Sequence, residues 1–302
     1  MAEPSNDLSP PGGAHRPPSG LTQLSDRVRR LVAPNPSPFT FTGTCVYIVG
    51  AGEVAVIDPG PADPAHIEAL LAAIPGERVT QIVVTHSHRD HAGGADLLRA
   101  RTGAPIVGAR AHAVAGDAPT RADASHALDY APDQPLDDGA RLVGRGFTLE
   151  AVATPGHAAN HLSFALVEEK ALFSGDHVMA WSTSVIAPPD GSMRDYLASL
   201  EKVGRRGETL YWPGHGGPVR EPQRTVRALI AHRRQREAAI LARLHSGEAS
   251  VAEIVARVYP DLASALVGAA GLSTFAHLED LAQRGLVVAD GPVATASRFR
   301  LA

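Results

Sequence analysis

The segment His86-Ser87-His88-Arg89-Asp90-His91 packs three imidazoles and a carboxylate into six residues. Side chains at i and i+2 of an extended segment point to one side, so His86 and His88 can reach one metal ion from a strand end. Asp90 and His91 follow where the chain turns into a helix, and can face a second metal or the same one from the opposite wall. A single histidine is ordinarily an exposed or structurally hydrogen-bonded residue. A run of this spacing arises by chance in well under ~1% of chains of such composition, taking positions as independent.

Three further short motifs follow the same plan. Thr154-Pro155-Gly156-His157, Ser174-Gly175-Asp176 and Pro213-Gly214-His215 each come after a strand-like run and offer one ligand-type side chain from a tight loop. Loops at strand ends are the usual place to build a site on a sheet scaffold. Histidine and carboxylate donors suit Zn²⁺, and Mn²⁺ or Fe²⁺ accept the same set. Two such ions lower the pKa of a shared water and polarise a carbonyl or phosphoryl group.

The elements that must position these residues are legible in outline. Cys45 to Val49 and Glu53 to Ile57 read as a hairpin around Gly50-Ala51-Gly52. Pro64 to Ile74 reads as a helix capped by Asp63. Val79 to Thr85 is a strand buried on both faces. A short helix over 95–101 and strands at 105–108, 147–153, 162–167 and 171–174 follow, then a helix over 195–204 and a brief strand at 210–212. Residues 1–22, rich in Pro, Ser and Gly, read as a disordered tail. Near residue 224 the composition changes to an Arg-rich helix up to His245. Helical patterns at 250–258 and 273–284 and a strand–turn–strand from Leu286 to Leu301 complete a winged-helix-like unit. The expected division is a tail (1–22), a catalytic domain (23–224) and a C-terminal domain (225–302).

Composition narrows the function. The chain has 302 residues, a formal net charge of −4 and one cysteine, Cys45. A disulfide within the chain and a multi-cysteine zinc site are excluded. A weakly acidic total argues against bulk nucleic-acid coating, though not against a local basic patch. No apolar run reads as a signal peptide or membrane span, so the expectation is a cytoplasmic protein without membrane contact.

In order and spacing, these motifs resemble the metallo-β-lactamase fold superfamily over about residues 25 to 220. The resemblance implies an α/β fold, a four-layer αββα sandwich with the active site at one edge between two similar halves. It implies His86, His88 and His157 as ligands of one metal, Asp90, His91 and His215 as ligands of another, and Asp176 as the bridging carboxylate. Asp90 would also orient the attacking hydroxide and is the catalytic candidate. Asp58, Thr85 and His161 are candidates for orienting the ligands, with a plain turn role equally open for Asp58. Pro34-Asn35-Pro36-Ser37-Pro38, Gly43-Thr44 and the C-terminal unit resemble the β-lactamase-like protein 2 branch, whose mammalian member is an endoribonuclease. Cys45 stands where that branch commonly has Asn.

His177, Met179 and Trp181, on the loop after Asp176, are the candidate substrate-pocket residues; core packing is equally open for Trp181. The implied function is a dinuclear metal-dependent hydrolase acting on a phosphodiester in RNA or single-stranded nucleic acid, or on a small ester, thioester or lactone. A homodimer is compatible with the chain. The alternative is a DNA-binding regulator that uses the C-terminal unit, with a structural metal. Arginines 224, 227, 233, 234 and 236 could contact phosphates, but a solvated helix face is the preferred reading of that run.

Overall fold

A computed structural model describes residues 20–111 and 130–302. The expected disordered tail lies outside the described residues as far as residue 19. Its end differs from expectation: Thr22–Gln23 (β1) pairs antiparallel with Val28–Val32 (β2), Thr22 opposite Arg30. Backbone hydrogen bonding to β2 orders these residues despite their polar composition.

Next come Cys45–Ala51 (β3), Glu53–Ile57 (β4), the helix Pro64–Ala72 (α1), Arg78–Val84 (β5), the short helix Arg89–Ala92 (α2), Ala95–Thr102 (α3), Ile106–Gly108 (β6) and Gln134–Pro135 (β7). Asp63 caps α1, its Oδ1 accepting from Ala65 N at 2.9 Å. The seven strands form one sheet in sequence order, antiparallel from β1 to β4 and parallel from β4 to β7.

A second, five-stranded sheet holds Arg141–Gly144 (β8), Phe147–Ala153 (β9), Leu162–Leu166 (β10), Ala171–Gly175 (β11) and Leu210–Pro213 (β12), in the order β12-β11-β10-β9-β8. The helix Met193–Gly204 (α4) lies between β11 and β12, capped by Ser192 rather than starting at Asp195. The two-residue β7 and the four-residue β8 were not expected from the sequence. Both are too short to carry an alternating pattern.

Strand periodicity explains the layering. Cys45, Tyr47 and Val49 of β3, with Ala55 and Ile57 of β4, meet Phe147, Leu149, Phe164, Phe173 and Trp212 between the sheets. The alternate residues Val46, Ile48, Val54 and Val56 pack under Ile67, Leu70 and Leu98 of α1 and α3. On the far side, Leu172 and Tyr211 pack under Met193, Tyr196 and Leu200 of α4. The result is an αββα sandwich.

The chain then continues through Pro222–Leu244 (α5), Ala249–Ser250 (β13), Val251–Val258 (α6), Ser264–Gln283 (α7), Val287–Ala289 (β14) and Arg298–Leu301 (β15). The three strands form a small sheet, β13-β15-β14. Ile240, Leu244, Ile254, Phe275, Leu278, Leu281 and Phe299 form its core with the helices. This is a C-terminal winged helix. Residue 224 falls in the first turn of α5. Val226 and Leu229 of that helix pack with α4, whereas Ile240 and Leu244 pack in the C-terminal core. Helix α7 starts nine residues before the expected 273; that first stretch contains the poor helix formers Gly268 and Gly271, and Ala269 is its one buried residue.

Candidate metal centre

The residues of the expected ligand set converge at one edge of the sandwich. Strand β5 ends at Val84, and His86 and His88 leave it on one side. The first turn of α2 carries Asp90 and His91. The loops after β9, β11 and β12 bring His157, Asp176 and His215. Donor atoms of His86, His88 and His157 lie within 4.8 Å of one another; so do those of His86, His91 and Asp176, and those of Asp90, His91 and His215.

Individual distances fit a shared cation. His86 Nε2 lies 3.0 Å from His88 Nδ1, and His157 Nε2 lies 3.1 Å from that same atom. His91 Nε2 and His215 Nε2 are 3.3 Å apart. Nitrogens held about 2.0–2.1 Å from one tetrahedral Zn²⁺ are separated by roughly 3.3 Å. Asp176 spans the two groups: Oδ2 is 3.6 Å from His157 Nε2, while Oδ1 is 3.5 Å from His91 Nε2 and 3.4 Å from His215 Nε2. Asp90 Oδ2 lies 3.3 Å from His91 Nε2 and 3.2 Å from His215 Nε2.

The opposite ring nitrogens are engaged, which fixes which nitrogen stays bare. His91 Nδ1 faces Asp58 Oδ2 at 2.9 Å, His157 Nδ1 donates to Val185 O at 2.7 Å, and His215 Nδ1 faces Gly43 O at 3.3 Å. His86 Nδ1 lies 2.9 Å from Thr85 Oγ1, and that hydroxyl donates to Asp58 Oδ2 at 2.8 Å. Asp58 Oδ1 also accepts from Thr85 N at 2.8 Å. Asp58 and Thr85 therefore orient two imidazoles. His161 supports the loop instead: its Nε2 accepts from Asp176 N at 3.2 Å, and its Nδ1 lies 2.8 Å from Thr154 Oγ1.

Asp190 has a comparable place and was not singled out from the sequence. Its Oδ2 lies 3.6 Å from His88 Nε2, and its Oδ1 accepts from Ala159 N at 3.0 Å. In Pro188-Pro189-Asp190-Gly191 it reads as a turn residue, and no spacing ties it to His88.

Electrostatics divides the histidines. Burial, then the neighbouring imidazoles, holds His86 well below its ordinary pKa. Burial and His88 hold His157 down to about 4. For His91 and His215 burial acts downward too, but carboxylates outweigh it: Asp90, Asp176 and Asp58 raise His91 well above the usual value, and Asp176 and Asp90 raise His215 to about 9. Both carboxylates are held low against their own burial by those imidazoles. Without a metal, protons sit where these carboxylates call for positive charge, and a divalent cation would displace them.

Two glycines permit the convergence. A Cβ on Gly214 would lie 2.6 Å from both Asp176 Oδ1 and His91 Cε1; one on Gly175 (φ +49°) would lie 2.5 Å from His161 Nε2. Cys45 braces the same loop, its N–H donating to Gly214 O at 2.7 Å and its Sγ lying 3.5 Å from Gly216 O.

The centre opens into a cavity of about 570 Å³. His88, Asp90, His157, Asp176 and His215 form its polar end. Met179 and Trp181 line it, and Trp181 stacks on Phe41 at 5.0 Å between centroids. His177 corrects the expectation for that loop. It is 0% exposed and absent from the cavity wall, because its N–H bonds Ser174 O in a turn and its ring lies against Tyr196, 5.1 Å away. The basic run divides similarly. Arg224 pairs with Glu221 and Arg234 with Glu201, as on a solvated face. Arg236 covers the Tyr259 ring, and Arg233 is buried.

Comparison with known proteins agrees with this geometry. Residues 39–215 match the model of the metallo-β-lactamase superfamily, and residues 250–294 match that of the β-lactamase-associated winged helix domain. The chain belongs to the metallo-β-lactamase superfamily and is a hydrolase. A beta-lactamase-like protein 2 homolog of Caenorhabditis elegans is 33% identical over 246 residues, covering 80% of this chain and 79% of the relative. An atrochrysone carboxyl ACP thioesterase of Aspergillus fumigatus is 33% identical over 230 residues, 74% of this chain and 66% of the relative. A metallo-β-lactamase family protein from Thermus thermophilus superimposes with a TM-score of 0.77 at 26% identity, over 93% of this chain and 100% of that one. Among the described residues, no helix is long and apolar enough to cross a membrane.

Proposed function

We propose that this hydrolase uses two divalent metal ions, Zn²⁺ fitting the donor set best, to cleave a small ester or thioester with an apolar acyl group. The observation that carries the reading is the placement of the His/Asp cluster in a cavity whose other walls include Met179, Trp181, Val185, Leu262, Leu266 and Ala269. Bound there, the metals would supply Lewis acidity and bring the pKa of a water toward neutrality. His86, His88 and His157 would hold one, Asp90, His91 and His215 the other, with Asp176 between them. The Asp90 carboxylate, partly exposed to the cavity, would orient the attacking water. The apolar walls would position the acyl chain and exclude bulk water.

The Aspergillus fumigatus relative's name, an ACP thioesterase, favours a thioester. A phosphodiester is less well served: among the described residues the cavity wall carries one arginine, Arg233, rather than the basic groove that tracks a nucleic-acid backbone. DNA reading through the winged helix is disfavoured by α7. That helix stands where such modules carry their recognition helix, yet Thr274, Ala276 and His277 are buried and Ser273 Oγ accepts from Ile186 N at 3.3 Å.

The test is metal analysis of purified protein, coupled to turnover of acyl thioesters, p-nitrophenyl esters, bis-p-nitrophenyl phosphate and RNA. We expect two metal equivalents and a preference for the acyl substrates that is lost in Asp90→Ala. RNA or bis-p-nitrophenyl phosphate as the favoured substrate would overturn the acyl assignment, and no turnover of any substrate by metal-loaded protein would overturn the hydrolytic one.

A further inference from the structure

Arg233 lines the same cavity and is 3% exposed. Its Nη2 donates to Ser184 O at 2.5 Å, and its guanidinium lies 5.2 Å from the centroid of the Tyr196 ring. Its Nε has no acceptor, and among the described residues no carboxylate pairs with it. The carboxylates that line the cavity, Asp90 and Asp176, are engaged by the imidazoles of the cluster, and His232, Tyr259, Leu266, Ala270 and Ser273 of its C-terminal side carry no negative charge. A buried guanidinium without a counter-ion is costly, and buried polar groups left without partners are few enough in folded proteins to call for an explanation.

We infer that Arg233 is the anchor for a substrate carboxylate, so that the cavity selects acyl compounds that carry a second, anionic terminus. Met179, Trp181, Leu262 and Leu266, which line the same cavity, accept the apolar body. The charge of the terminus follows from the surroundings. Burial and the adjacent arginines hold His232 down to about 4, so it adds no second positive charge near neutral pH. One guanidinium balances one negative charge, which suits a carboxylate and leaves a phosphate dianion undercompensated. Tyr196 and Ser184 O hold the guanidinium from behind, so it is preorganised for an incoming anion.

The inference takes its substrate class from the proposed hydrolysis, but its test is a binding measurement that needs no turnover. Full-length protein, as purified with its metals, is titrated with 8-anilinonaphthalene-1-sulfonate, a monoanion whose sulfonate stands in for the carboxylate and is a poor metal ligand. The uncharged N-phenyl-1-naphthylamine, which has the same aromatic body, is titrated in parallel. Arg233→Met should weaken the anion by about ten-fold or more, as for loss of a charge-assisted hydrogen bond, and leave the neutral dye within about two-fold. Arg233→Lys should retain most of the anion's affinity. Equal loss of both dyes in Arg233→Met would assign the residue to wall packing and overturn the inference. So would unchanged affinity for the anion. A protein that binds as expected but hydrolyses nothing would count against the proposed function alone.

Discussion

The Asp58 carboxylate lies 2.9 Å from His91 Nδ1, although 33 residues separate the two in the chain. The contact exists because β4 and β5 are parallel neighbours, so that the end of one strand stands beside the start of the loop that leaves the other. Asp58 also holds Thr85, and through it His86. One carboxylate thus sets the ring orientation of an imidazole in each half of the cluster. Asp58→Asn should lower metal affinity by about 10–100-fold, measured by competition with a chelating indicator. Unchanged affinity would reduce Asp58 to the turn residue that Asp58-Pro59-Gly60 suggests.

Gly214→Ala tests how closely the cluster is packed. The new methyl would meet Asp176 Oδ1 and His91 Cε1 at 2.6 Å, so the carboxylate between the two donor groups must move. A misplacement approaching 1 Å costs about 10²-fold in rate. We expect a loss of that order in kcat/KM, with reduced metal content and near-native circular dichroism. Full activity would mean that the carboxylate has slack the structure does not reveal.

The C-terminal wall of the cavity predicts a change of selectivity rather than of chemistry. Leu266 and Ala270 face the space where an acyl chain would lie. Ala270→Trp should reduce kcat/KM for medium-chain acyl thioesters by about ten-fold or more while sparing acetyl thioesters, as loss of pocket volume excludes the longer groups. An equal loss on both substrates would place the acyl chain elsewhere.

His277 gives a pH dependence that is independent of any metal. It is 1% exposed, and burial, with Arg233 next, holds it down to about 3 from an ordinary 6.5. The unfolded chain therefore binds a proton that the folded chain refuses between those values. Stability from this group is complete above pH 6.5 and is lost as pH falls toward 3, by about 2 kcal/mol at pH 5. Urea unfolding of His277→Leu at pH 7.5 and 5 should show an acid loss smaller than that of the wild-type chain by about that amount. Parallel losses would mean that His277 is protonated in the folded protein.

Much of the scaffold and cluster could be read from the sequence because both are written locally. His86 to His91 is contiguous, and the other three motifs each follow a strand whose apolar run is visible. What escaped was fixed by tertiary contacts. Asp190 meets His88 only because the loop before α4 folds back across the mouth. Arg233 looks like its neighbours on a basic helix, and only the packing of α5 on Tyr196 separates a buried guanidinium from solvated ones. His177 was misplaced because closeness to Asp176 in sequence says nothing about which way a turn directs the next side chain. The start of α7 was hidden by Gly268 and Gly271, whose low helix propensity masks the helical pattern there.

The cavity has two owners. Its reactive floor comes from loops between residues 86 and 215, whereas much of its far wall comes from α5, α7 and the Tyr259 region. Substitutions that reshape the far wall need not disturb a single donor atom on the floor. A lineage built this way can drift from one substrate to another by accepting changes after residue 230, keeping its reactive machinery intact throughout. Divergence in substrate would then be recorded in the C-terminal quarter of the chain, the part that a search for reactive motifs passes over.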